Sequence, residues 1–353
     1  MNSAKERAVA ACEAARDAWR RDLDSPAAGR AAGAAAAYLD ARGLGADVRA
    51  RWGIGYAPGG ASLVDELLRQ GFTAEELLAA DLARERSGRL ADRYFDRAMF
   101  PIEDEEGRTI AFGGRIIGAA KREGVPKYVN TRDTNAFSKK KHLFAYARAK
   151  EEIRRSSQAI VCEGYTDVIA MHEHGLTGAV AALGTAFGPD HIALLDRLGT
   201  RRVVCLFDGD AAGQRAAEHA LALAPLSGAE LACVTLPGGQ DPAEYLADHP
   251  ADELRALIAQ ARPLVEWVCE KRVCSAMRKS AGAAEIEFRK LQAELAPYRY
   301  SSMRDALEEA VRRGSGGRIE TPLFEQAEPG REDPRAPGRD DPPPRGGDGE
   351  WDR

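Results

Sequence analysis

The sequence predicts an α/β protein built around a parallel sheet, with an α+β segment ahead of it and a helical segment behind. Three observations predict this. Between residues 153 and 250, short apolar runs alternate four times with helix-like stretches, as strands joined by crossover helices do. Ahead of that region, two apolar runs at 99–102 and 109–117 flank the turn Asp104–Gly107 and read as an antiparallel hairpin. Behind it, residues 251–313 carry helical periodicity alone.

Composition bounds the rest. The chain has 353 residues, 44% hydrophobic and 30% charged, enough apolar material for a large core and too much for a wholly disordered chain. It has no run of ~18 uncharged apolar residues, so no membrane-spanning helix is expected. The first ten residues carry charges where a signal peptide needs an apolar stretch, so a cytoplasmic location is expected. The six cysteines show no C-x-x-C pair and no zinc-finger spacing to histidine. They read as small buried hydrophobes, and no zinc is expected in this chain.

The elements follow in order. Residues 1–30 read as a peripheral Ala/Arg-rich helix. A second Ala-rich helix carries Tyr38 and Leu39 on one side and ends at Arg42-Gly43-Leu44-Gly45. Residues 51–58 read as a short strand and turn. Helices are expected over 62–69 and 73–80, the latter opened by a Thr73/Glu76 capping box. The hairpin comes next, and residues 31–150 form an N-terminal basic subdomain. From 151 to 250, strands at 159–162, 179–183, 202–207 and 230–236 alternate with helices at 166–174, 189–198, 211–224 and 242–248. Residues 251–313 make a helical subdomain. From 314 to 353 the chain is rich in Pro, Gly, Asp and Arg and reads as a disordered tail.

Acids fall at the strand ends. Glu163 and Asp167 follow the first strand of the alternating series, Asp208 and Asp210 the third, and Asp241 the fourth. The carboxyl edge of a parallel sheet is where ligands bind, so three strand ends deliver carboxylates to one crevice. Crowded carboxylates repel unless a cation lies among them. An all-oxygen donor set suits Mg²⁺ or Mn²⁺. A single Asp after a strand serves equally well as a helix cap.

Residues 108–155 hold thirteen Lys and Arg against four Asp and Glu, a local basic footprint that the net charge of −5 conceals. Lys139-Lys140-Lys141 is its densest run, with Tyr128, Phe137 and Phe144 nearby. Cations for phosphates and rings for bases are what single-stranded nucleic acid requires. Gly113-Gly114 would let a strand backbone approach a ligand closely, and two glycines serve equally as a bulge. His172 and His174, two apart on a helix, cannot share a metal and read as surface residues.

These motifs resemble a known family. Glu163-Gly164-Tyr165-Thr166-Asp167, Ala182-Leu183-Gly184-Thr185-Ala186, Asp208-Gly209-Asp210-Ala211-Ala212-Gly213 and Asp241-Pro242 resemble the Toprim domain shared by bacterial primases and topoisomerases. The stretch Asp92-Arg93-Tyr94-Phe95-Asp96-Arg97-Ala98-Met99-Phe100-Pro101-Ile102, together with Gly113-Gly114-Arg115, Pro126-Lys127-Tyr128-Val129-Asn130 and Leu143-Phe144, resembles bacterial-type DNA primases.

The resemblance spans about 38–246. It implies the RNA polymerase core of a primase, with a central Toprim sheet flanked by helices. The implied reaction is template-directed synthesis of short RNA primers. Glu163, Asp208 and Asp210 are the implied catalytic, metal-binding acids, with Asp167 and Asp241 as outer acidic positions. Arg42, Arg93, Arg115, Lys127, Tyr128, Asn130 and Lys139 are the implied nucleic-acid or nucleotide positions. The implied partners are single-stranded DNA, ribonucleoside triphosphates, an RNA–DNA hybrid and a replicative helicase, with no membrane.

The family pattern is not complete. Ala243 stands where a second aspartate is common, Phe95 stands where a basic residue is frequent, and no Cys/His zinc ribbon precedes the core. The rival readings are a Toprim-type metal-dependent nuclease or topoisomerase, and a catalytically weakened nucleic-acid-binding accessory protein.

Overall fold

The computed structural model describes residues 2–24, 29–117, 124–184, 187–207, 223, 227–296, 304–319 and 321–324. The first helix, α1 (Asn2–Asp24), is not peripheral. Its small residues Ala8, Ala11, Cys12, Ala15 and Ala18 fall at helical spacing and are buried, and Trp19 is 1% exposed. Small side chains let the helix backbone lie directly on a sheet. A Cβ on Gly55 would sit 2.5 Å from the Trp19 carbonyl carbon, so only glycine fits beneath α1 there. The Trp19 ring meets Tyr94 and Phe112 edge-on, with centroids at 5.7 and 4.7 Å. Sequence reading missed this because an Ala/Arg-rich helix looks polar until its narrow apolar stripe finds a partner.

The helices α2 (Gly29–Asp40) and α3 (Ala46–Trp52) follow. Trp52 therefore ends a helix, and the strand expected from 51 is shorter: β1 is Gly55–Ala57. Next are α4 (Ser62–Arg69) and α5 (Ala74–Ala79), the latter with the expected Thr73/Glu76 capping box. A small hairpin that sequence reading did not separate, β2 (Ala83–Arg86) and β3 (Arg89–Asp92), precedes β4 (Arg97–Glu103) and β5 (Thr109–Ile116). A further short strand, β6 (Tyr128–Asn130), completes a four-stranded antiparallel sheet in the order β1-β4-β5-β6. Every residue of β5 is buried, which is why its alternation was not visible in the sequence.

The second sheet is the expected one. After α6 (Tyr146–Ser156) come β7 (Gln158–Cys162), α7 (Tyr165–Glu173), β8 (Ala179–Ala181), α8 (Pro189–Asp196), β9 (Arg202–Phe207) and β10 (Glu230–Thr235). All four strands pair in parallel, with β7 between β8 and β9. Val203, Val204, Cys205 and Leu206 are fully buried, as continuous apolar runs covered on both faces should be. After α9 (Pro242–Asp248) and α10 (Ala251–Ala259), a two-residue strand, β11 (Arg262–Pro263), pairs antiparallel with β10 and closes that edge.

The chain divides into two compact units at Val268/Cys269. The basic and Toprim-like regions thus form one unit, and α10 and β11 belong with the sheet rather than with the helices behind it. The division falls within α11 (Leu264–Lys279). In the second unit, α12 (Ala281–Glu294) and α13 (Arg304–Gly314) follow, and Arg272 binds Glu287 at 2.6 Å and Glu294 at 2.5 Å. Order extends past the expected start of the tail, since Leu323 and Phe324 are each only 2% exposed. Residues 325–353 of that expected tail lie outside the described residues. Among the described residues, no helix is long and apolar enough to cross a membrane.

Candidate active site

The strand order 8-7-9-10 sends the chain from β7 to one side and from β9 to the other. The carboxyl ends of β7 and β9 therefore flank the topological switch point, where open α/β sheets bind ligands. Glu163 follows β7 directly and is exposed there. Asp208 and Asp210 follow β9 in sequence and lie outside the described residues.

Asp167 is 5% exposed in the first turn of α7, and its Oδ2 accepts the Gly164 N–H at 3.0 Å. Asp241 is the N-cap of α9, its Oδ1 accepting the Glu244 N–H at 2.7 Å, and a turn at Pro237–Gly239 separates it from β10. Helix capping, the bland reading of a post-strand aspartate, is thus a role that Asp241 performs. Ala243 and Glu244 line a cleft of about 440 Å³ together with Arg42, Gly43, Ala170 and His174.

Tyr165 joins the antiparallel sheet to this acidic end. It opens α7, two residues after Glu163, and its ring packs against Phe100, Phe144 and Tyr128 with centroids at 5.6, 4.7 and 5.9 Å. Its hydroxyl donates to Asn130 Oδ1 at 2.8 Å, and Asn130 Nδ2 donates to the Leu183 carbonyl at 2.7 Å. Burial pushes the Tyr165 hydroxyl well above the ordinary phenol range.

A Cβ on Gly113 would lie 2.2 Å from Tyr165 Cε2, so the space at Gly113 belongs to this ring and not to a ligand. On Gly114 a Cβ would meet Arg97, Tyr94 and Met99 at 3.0–3.2 Å. The expected close approach of a ligand to Gly113-Gly114 is therefore corrected. Asn130, expected to contact nucleotide, uses both ends of its amide inside the protein.

Beside Tyr165 stands a cationic aromatic stack. Arg115 Cζ lies 5.1 Å from the Tyr38 ring centroid and 5.0 Å from that of Tyr128, and Arg42 Cζ lies 5.8 Å from Tyr38. Arg115 Nη1 also donates to the Tyr128 hydroxyl at 2.9 Å. Burial raises the Tyr128 phenol, and the Arg115 charge opposes that rise. The Tyr128 ring lies 5.9 Å from that of Tyr165, the first residue of α7, so the basic edge and the acidic helix end are neighbours.

The other basic positions divide. Lys127 is exposed. Arg93 is held by Asp81, which is 2% exposed and also binds Arg132 at 2.7 Å. That pairing gives Arg93 an internal structural partner, unlike Arg42 and Arg115. Phe137 and Phe144 are 1% and 2% exposed and belong to the core, so neither offers a face to a base. His172 is not a surface residue: it is half-buried, bonds the Ala179 carbonyl at 2.8 Å and meets Trp52 edge-on.

The Lys139 loop is pinned from two sides. Asp133 Oδ1 accepts the Lys139 N–H at 3.1 Å, and His191 Nε2 donates to the Lys139 carbonyl at 3.0 Å. His191 Nδ1 accepts the Gly188 N–H at 3.1 Å, so the fold uses the neutral ring. Burial lowers the His191 imidazole below its ordinary value near 6.5. With the folded value below the unfolded one, its contribution is complete above about pH 6.5 and is lost as pH falls through the folded value. His172, lowered by burial as well, adds to the same trend. Thermal denaturation should give a level Tm above about pH 7 and a falling one below about pH 6.5, with a smaller fall in His191→Gln. An identical fall in that variant would remove His191 as a contributor.

Tyr38, Asp81 and Tyr165 are the residues that sequence reading missed. Tyr38 had a usable signal: it lies in the last turn of α2, four residues before Arg42 in the turn that follows.

Fold and site define the class, a Toprim-type core joined to a basic antiparallel sheet. Residues 160–246 match the Toprim-like family, and residues 26–150 match the family described as DNA primase catalytic core, N-terminal domain. The DNA primase of Deinococcus radiodurans is 41% identical over 217 residues, covering 61% of this chain and 37% of that protein. The DNA primase of Mycolicibacterium smegmatis is 37% identical over 309 residues, covering 85% of this chain and 48% of that protein.

Among solved structures, the RNA polymerase domain of Mycobacterium tuberculosis primase DnaG superposes with a TM-score of 0.77 at 33% identity, covering 88% of this chain and 98% of that one. A DnaG primase catalytic domain bound to ssDNA superposes with a TM-score of 0.72 at 31% identity, covering 90% and 98%. The chain belongs to the bacterial DNA primase family. It spans 37–48% of the length of the curated relatives named here.

Proposed function

We propose that this chain is the RNA polymerase core of a DNA primase, a nucleotidyltransferase that makes short RNA primers on single-stranded DNA during replication. The observation that carries the reading is the juxtaposition at Tyr165. One residue links the Arg115–Tyr128 edge of the basic sheet to the Glu163–Asp167 end of the parallel sheet. Cations for a triphosphate thus adjoin carboxylates suited to a metal.

The donor chemistry fits a hard divalent cation. The acids are oxygen donors, Cys162 is buried within β7, and His172 and His174 are bonded to the backbone carbonyls of Ala179 and Ala170. In this reading Glu163, Asp208 and Asp210 hold Mg²⁺ or Mn²⁺, with Asp167 and Asp241 shaping the surrounding charge. Such a cation supplies charge neutralisation for the triphosphate and acidifies the attacking hydroxyl.

Arg42 and Arg115 hold the triphosphate oxygens. Lys127, Tyr128 and Lys139 lie along the path of the template or hybrid, and Asn130 acts through Tyr165. The 3′-hydroxyl oxygen attacks the α-phosphorus and its proton passes to solvent; a P–O bond forms as the bond from the α-phosphorus to the oxygen bridging the β-phosphorus breaks, and pyrophosphate leaves. The proposed partners are single-stranded DNA, ribonucleoside triphosphates and the RNA–DNA hybrid. A replicative helicase as partner rests on family membership alone. The nuclease and accessory-protein readings are not favoured, since the relatives are primases.

The test is labelled ribonucleotide incorporation on single-stranded DNA with Mg²⁺ or Mn²⁺. Short RNA products that disappear on chelation are expected. No product with either metal, on templates that the protein binds, would overturn stand-alone priming.

A further inference from the structure

We infer that Tyr38 is a positioning residue for substrate phosphate, a shared aromatic plate that holds Arg42 and Arg115 in place without neutralising them. This rests on the reading that those two arginines bind the triphosphate.

Among the described residues, neither Arg42 nor Arg115 has an ion pair with a carboxylate. Arg93, Arg108, Arg132 and Arg148 each do, with Asp81, Asp104, Asp81 and Glu103. A carboxylate partner would fix a guanidinium but cancel its field at the site. An aromatic face fixes it through the ring quadrupole and leaves the charge intact for an incoming anion. Tyr38 does this for both heads, with Arg115 Cζ at 5.1 Å and Arg42 Cζ at 5.8 Å from its centroid. Tyr128 takes the second contact with Arg115 at 5.0 Å, so that guanidinium is stacked by two rings.

The buried polar atoms point the same way. Arg115 is 7% exposed, and its Nε is closed to solvent with no hydrogen-bond partner among the described residues. The Tyr38 hydroxyl is likewise closed and without one. Orphaned buried donors cost stability. Neither atom is open to a ligand in this conformation. What the arrangement gains is orientation: Arg115 keeps its Nη1 on Tyr128 and its charge uncancelled. The ring of Tyr38, rather than its hydroxyl, is therefore the working part. Arginine side chains lose much rotamer entropy on binding an anion, and a stack that restrains them beforehand removes part of that cost.

The experiment compares Tyr38→Leu, Tyr38→Phe and Arg115→Ala with the wild type. It measures equilibrium binding of ATP with Mg²⁺, the KM and kcat of ribonucleotide incorporation, and Tm. Tyr38→Leu should weaken ATP binding and raise KM by about tenfold while kcat stays within about twofold. Tyr38→Phe keeps the ring and removes the orphaned hydroxyl, so it should bind ATP within about twofold of wild type, with Tm equal or higher.

A folded Tyr38→Leu with wild-type affinity would overturn the inference. So would a Tyr38→Phe as impaired as Tyr38→Leu, which would make the hydroxyl the working part. If Arg115→Ala also binds ATP normally, the phosphate reading itself fails, an outcome distinct from a failure of Tyr38 alone.

Discussion

Glu163→Gln is expected to lower ribonucleotide incorporation by ~10²-fold or more while leaving Tm and DNA affinity near wild type. The substitution keeps the side-chain shape and removes one negative charge at the carboxyl end of β7. That end lies on one side of the switch point between β7 and β9. Glu163 is exposed, so its replacement leaves core packing intact, and an unchanged Tm separates a catalytic loss from unfolding. A carboxylate that helps hold a catalytic cation is worth several kcal/mol of transition-state stabilisation, since the amide binds a hard divalent ion far less well. DNA affinity should persist because the proposed DNA contacts lie on the basic sheet and not at Glu163. Synthesis within about threefold of wild type would remove Glu163 from the metal site. Loss of DNA binding together with synthesis would instead place Glu163 in template contact.

Gly113→Ala should destabilise the larger unit by about 3 kcal/mol, near the upper end for overpacking a buried site. For a unit of this size that corresponds to a Tm drop of roughly 6–12 °C. The new Cβ would sit 2.2 Å from Tyr165 Cε2 and 2.6 Å from Cζ, well inside contact distance. The Tyr165 ring has little room to retreat. Phe100 and Phe144 pack against it, and its hydroxyl is bound to Asn130.

Any shift of the ring also moves α7, which begins two residues after Glu163. Synthesis at a temperature where the variant is folded should therefore fall as well. Tyr165→Leu removes the clashing edge. The double variant should thus lose less stability than the two single losses added together, a coupling that a double-mutant cycle reads directly. Calorimetry showing additive losses would mean that Gly113 and Tyr165 do not constrain each other.

Much of the fold was legible because its signals are local. Four apolar runs, each followed by a helix-like stretch, gave the parallel sheet, and β7 to β10 pair as that pattern requires. The acids were legible because they sit one residue or a short turn beyond a strand. Glu163 stands at its expected strand end, whereas Asp241 proved to cap a helix. The Thr73/Glu76 capping box is local in the same sense and formed as expected.

What stayed hidden depends on partners far away in the chain. The apolar stripe of α1 gained meaning only when Trp19 met Gly55, Tyr94 and Phe112. Arg93 and Arg115 look alike as basic residues of one region. Only the folded chain sets Arg93 and Arg132 on the same Asp81 carboxylate and stacks Arg115 between two tyrosine rings. Gly113-Gly114 read as an opening for a ligand and is filled by Tyr165 and Met99 with their neighbours.

The sequence by itself determined the class of fold, the order of its elements and the strand ends that carry the acids. Backbone periodicity and residue type suffice for those. The tertiary structure alone decided which cations keep their charge, which aromatic rings orient them and which small residues make room. Those properties belong to pairs of residues brought together across the chain, and no local pattern encodes them.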